Sequence, residues 1–150
     1  MNNYLQVDFD FNGKTELKFG ERIVRTPFKV CQTMRIRDRI VVRIADELGE
    51  FREKRAKDSL ELDRYIEAAN TGIWCFDLSG NLKWKIAEAF PEANHEKNIA
   101  DTGHRILATF VLFKYDSQKD TIVGFTSYGT ETEVALVDGA LIRQVWGIKY

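Results

Sequence analysis

Cysteine, proline, histidine and methionine each occur only twice in this 150-residue chain. Neither sign of charge dominates, and long apolar runs are missing. Cys31 and Cys75 are too far apart to form a CxxC pair or a zinc-ligand spacing. Their expected role is that of small buried apolar side chains in strands, in a reducing, cytoplasmic setting. The longest apolar stretches, such as Ile40-Val41-Val42 and residues 108–113, fall far short of the roughly 20 residues that cross a bilayer. The start, Met1-Asn2-Asn3-Tyr4-Leu5-Gln6, has neither the basic flank nor the apolar run of a secretory signal. A net charge of −1 lacks the excess of Lys and Arg that general nucleic-acid or anionic-membrane binders use against phosphates. No GxSxG, P-loop, HExxH or GxGxxG motif is present, so a non-enzymatic protein without cofactor or metal is expected.

What is present fits one globular domain. Length suits a single core, and 44% hydrophobic with 30% charged residues is the balance of a folded chain. Leu5, Val7, Phe9 and Phe11 alternate with polar residues, the pattern of a half-buried strand. Asn12-Gly13 then signals a hairpin into Leu17 and Phe19, since both turn positions favour positive φ. Residues 23–26 and 28–30 continue as strands around Pro27, which marks an edge or a bend. Met34, Ile36 and residues 40–44 form a strand pair across Arg37-Asp38-Arg39.

The middle is different. Residues 46–57 are rich in Glu, Lys and Arg. Asp58, Ser59 and Glu61 read as a helix start, and Leu62, Tyr65, Ile66 and Ala69 share one helical face. A helix over about residues 59–69 is predicted, stopping at Asn70-Thr71-Gly72. Three further hairpins follow, turning at Ser79-Gly80-Asn81, at residues 116–120 and at Asp138-Gly139. The whole predicts a mainly β to α+β fold: an antiparallel meander of about eight to ten strands with one helix.

Two charged sets are candidates for recognition. Arg35, Arg37, Arg39 and Arg43 occupy odd positions and would share a face on one continuous strand, where they could grip an anionic ligand or nucleotide. The net charge of −1 divides into +4 over residues 1–57 and −5 over residues 58–150. Glu88, Glu92, Glu96 and Asp101 gather on a long irregular stretch containing Pro91, and could dock a basic protein partner. His95 and His104 lie in that stretch at no ligand spacing. Trp74, Trp84 and Trp146 fall in predicted strands. Trp74 and Phe76 should face one side with Cys75 on the other, while Trp84 should lie with Leu82 and Ile86 on an apolar face.

The second half carries a family-level pattern: "GIWCFDLSGNLKWKI" from Gly72, then "ILATFVLFKYD" and "TEVALVDGALIRQVWGIKY". It resembles small bacterial immunity-type proteins, which neutralise a cognate toxin of polymorphic or contact-dependent inhibition systems. The charged insert at residues 46–69 departs from a plain meander. The resemblance implies a β-rich inhibitor that occludes another protein by surface complementarity, possessing no catalytic residue. The other expectation is a protein that sequesters a small anionic ligand on the arginine-lined face.

Overall fold

A computed structural model describes residues 9–11, 15–46, 66–89, 109–126 and 129–145. Within them the chain forms eleven strands, and every pairing between neighbours is antiparallel. The mainly β antiparallel fold expected from the alternation is the fold observed, but its meander is broken twice. The first sheet holds β1 (Phe9–Phe11), β2 (Glu16–Phe19) and β3 (Arg22–Arg25). The second holds β4 (Lys29–Ile36), β5 (Arg39–Ala45), β6 (Ile73–Asp77) and β7 (Leu82–Lys85). The third holds β8 (Phe110–Asp116), β9 (Thr121–Thr126), β10 (Glu131–Ala135) and β11 (Leu141–Val145), in the order β11-β10-β9-β8. One break falls at the bend around Pro27 and the other between β7 and β8. Among the described residues no helix is long and apolar enough to cross a membrane.

The second sheet is apolar on both faces, which is why one sheet could not suffice. In β5, Ile40, Val42 and Ile44 face one way, and they pack with Trp74 and Phe76 of β6 and with Leu17 and Phe19 of the first sheet. Val41, Ile73, Cys75, Trp84 and Ile86 face the other way, onto Phe110, Phe113, Ile122, Val134 and Leu136 of the third sheet and its turn. Two separate cores therefore flank the second sheet. The opposed faces predicted for Trp74 with Phe76 and for Cys75 are observed. Strands covered on both sides lose the polar half of the alternation, so β6 reads Ile-Trp-Cys-Phe.

Residues 66–70 are helical, with Ile66 and Ala69 adding to the first core. The start of the predicted helix lies outside the described residues, while its stop falls where expected. There the Thr71 hydroxyl and amide both donate to the Glu67 carbonyl at 2.9 and 3.1 Å. The Ile44 amide donates to the Gly72 carbonyl at 2.8 Å, placing the chain beside β5 directly after the helix.

Three register shifts in or beside the second sheet decide which side chains point where. A bulge at Cys31 separates Val30, which faces the first sheet, from Gln32, Met34 and Ile36, which face the third. It leaves Cys31 half-buried rather than fully buried as expected. A second shift opposite Cys75-Phe76 puts Leu82 across from Phe76, on the other face from Trp84. Leu82 is consequently 45% exposed, against the expectation that it shares the apolar face of Trp84 and Ile86. A third, at Val111, lets Phe110 and Phe113 both point inward although they are three residues apart.

Hairpin glycines allow the layers to close. Gly139 has φ +72°, and a Cβ there would lie 2.6 Å from Trp84 Cγ, while the Trp84 indole donates to the Leu136 carbonyl at 2.8 Å. Gly20 has φ +60° but open space around it. Gly20→Ala should cost about 1 kcal/mol through backbone strain alone. Gly139→Ala adds overpacking and should cost roughly 3 kcal/mol. Urea midpoints of the two variants check this, and equal losses would contradict the packing of the β10–β11 turn on Trp84.

Candidate functional site

The four arginines are not brought together on one face. A turn at Arg37-Asp38 reverses the chain, and its register pairs Arg35 with Ile40 and Ile36 with Arg39. Odd positions of β4 thus lie beside even positions of β5, so Arg35 points away from the face that carries Arg39 and Arg43. Arg35 Nε donates to the Arg37 carbonyl at 3.0 Å. Arg39 pairs with Asp38 at 3.1 Å. Arg43 is buried between the second and third sheets, donating to the Phe110 carbonyl at 3.1 Å. The shared face expected from position parity fails because the strand is not continuous.

Of the acidic set, Glu88 is described, and its carbonyl accepts a bond from Gln144 Nε2 at 2.8 Å. Glu92, Glu96, Asp101, His95, His104 and Trp146 lie outside the described residues. No group of three or more His, Cys, Asp or Glu that could hold a metal ion occurs among the described residues.

Polar side chains pin the second and third sheets together at both edges. The Gln32 amide group works like a short piece of strand. It donates to the Phe113 carbonyl at 2.9 Å and accepts from the Phe113 amide at 3.1 Å, on the edge strand β8. Gln32 and Arg43 together satisfy backbone groups that an edge strand would otherwise leave to water. At the opposite edge, Trp84 and Gln144 reach across to Leu136 and to Glu88. Periodicity cannot show such pairs, because Gln32 and Phe113 are 81 residues apart.

A second polar group lies on the outer face of the third sheet. Glu133 is only 2% exposed. Its carboxylate accepts the Thr121 hydroxyl at 2.6 Å and Arg143 Nε at 3.1 Å, while Arg143 Nη1 also reaches Glu131 at 3.2 Å. The Thr121 hydrogen bond, against an opposing cost of burial and with help from Arg143, holds the Glu133 carboxyl below the usual glutamate range. Asp77 is also held low, since bonds from Asn81 and from the Ser79 amide outweigh its desolvation. Both shifts keep the carboxylate ionised, the reverse of the raised value a general acid needs near neutral pH. Burial pushes the Cys75 thiol up to about 12, which leaves it un-ionised and unreactive.

Beyond these charges, the end of the β10–β11 hairpin is apolar and open. Val137 is 67%, Leu141 53% and Ile142 55% exposed. Ile142 stands at a register shift, opposite Glu133-Val134, and among the described residues β11 is an edge of its sheet. Three large apolar side chains gathered on one hairpin with an open edge are the kind of surface that partner proteins cover. The alternation read from residues 133–146 found the hairpin but did not show which of its apolar residues stay exposed.

A comparison of the chain with protein-family models, with curated proteins and with solved structures finds no match.

Two outcomes follow from this geometry. Because the folded Glu133 carboxyl is held low, its stabilisation is full above the ordinary glutamate value of about 4.3 and is lost as pH falls through the depressed folded value. Glu133→Gln should therefore flatten the acid side of the stability–pH curve, measured by thermal unfolding across the acid range; an unchanged slope would contradict the assignment. At pH 8, a thiol reagent should modify Cys31 in the folded chain and reach Cys75 only after denaturation. Modification of both thiols under native conditions would contradict the burial of Cys75.

Proposed function

We propose that this chain is a non-enzymatic, protein-binding inhibitor of the immunity type, which acts in the cytoplasm by occluding a cognate toxin domain. The carrying observation is the exposed apolar group Val137, Leu141 and Ile142 on the edge hairpin β10–β11. An extended segment of a partner can add to such an edge through its backbone, with alternate side chains meeting the apolar residues. The hairpin pattern of the second half supports the same reading, as does its net charge of −5, which suits a basic partner. Charge of this kind would speed and orient the encounter, while the apolar side chains would supply the buried contact.

The test is capture from the native host with the purified chain as bait. Wild type should retain a stable basic protein. The Leu141→Lys/Ile142→Lys double variant, altered only at exposed positions, should keep the thermal midpoint and bind that protein at least about tenfold more weakly. Failure of wild type to hold any protein, or equal capture by the variant, would sink the proposal. A rise in thermal midpoint with an anionic nucleotide would support the sequestering reading in its place.

A further inference from the structure

Arg37 and Asp120 are the two residues other than glycine with positive φ among the described residues, at +52° and +57°. They sit on the turns of different sheets, Arg37 between β4 and β5 and Asp120 between β8 and β9. Their side chains meet. Arg37 Nη2 donates to both Asp120 carboxylate oxygens at 2.8 and 2.9 Å, and Nη1 donates to the Tyr115 hydroxyl at 3.1 Å. That hydroxyl in turn donates to Asp120 Oδ1 at 2.6 Å. Aspartate tolerates the left-handed region because its short side chain can bond locally, whereas an arginine there is strained. We infer that Arg37, Tyr115 and Asp120 form a strained clasp, a conformational device that holds one edge of the second and third sheets closed and can open without unfolding either sheet.

Three observations support the inference. The clasp joins turns 83 residues apart, so it reports on the packing of two sheets and not on either hairpin alone. Both charged members are exposed, and an exposed pair contributes little enough for backbone strain to rival it. Beneath it, Met34, Ile36 and Tyr115 pack in one cluster, and farther along the same seam Gln32 binds Phe113. Opening would free the turns and uncover that corner, with the middle of the second sheet held by its own ladders.

Native-state hydrogen exchange tests this. The Phe113 amide, bonded to Gln32 across the seam, is the reporter, and the Cys75 amide within the second sheet is the control. Arg37→Gly relieves strain and removes the guanidinium, while Asp120→Asn keeps a residue suited to positive φ and removes the charge. Each should speed Phe113 exchange about fivefold and leave Cys75 unchanged, and the double variant should be no faster than either single. Added sodium chloride should speed Phe113 exchange in wild type and not in Asp120→Asn. Unaltered Phe113 exchange in both single variants, additive effects in the double, or equal acceleration at Cys75 would overturn the clasp.

Discussion

The structure depends on burial of the second sheet from both sides. Ile40, Val42 and Ile44 leave water on one face, and Val41 with its neighbours Ile73 and Cys75 on the other. A fully buried Val, Ile or Leu contributes about 1.5–3 kcal/mol, so exposing either face would lose several such contributions at once. The first sheet and residues 66–70 cover one side, and the third sheet covers the other. The breaks in the meander follow from this demand, because the chain must leave the second sheet to cover it.

Stacking three antiparallel sheets creates a problem of direction, and the bulges solve it. Strands have a strict two-residue period, so a strand that crosses from one core to another must slip once. Cys31 provides that slip in β4, whereas the slip at Val111 in β8 keeps Phe110 and Phe113 in one and the same core. The same parity rule separates Arg35 from Arg39 and Arg43. The arginine stripe is thereby dispersed into structural tasks: one guanidinium bonded to the third sheet's edge, one joined to Asp38 and one closing the turns.

The polar interactions between sheets divide by burial. Gln32, Arg43 and Trp84 bond to backbone groups inside the seam, where leaving any of these groups unpaired would cost its desolvation. Arg37 and Asp120 meet at the exposed rim, where water competes for both. The rim is therefore the part of the seam best placed to open. The apolar hairpin Val137–Ile142 lies on the third sheet as well, so one layer carries both the open surface and one half of the clasp.

The sequence by itself determined three hairpins of the second half, those turning near Gly80, at residues 116–120 and at Gly139. Glycine and aspartate at Asp77-Leu78-Ser79-Gly80 and Asp138-Gly139 specify turns through local geometry, and the observed turns fall there. Alternation also determined the opposite faces of Trp74 and Cys75, because side-chain direction in a strand is a nearest-neighbour property. Tertiary structure alone decided the partition into three sheets, the exposure of Leu141 and Ile142, the burial of Glu133 and Arg43, and the meeting of Arg37 with Asp120. Each of these depends on pairing and packing between strands, from about ten to more than eighty positions apart in the chain. Composition and periodicity describe what a strand prefers to cover, and only the packed layers establish which side chains are left at an edge.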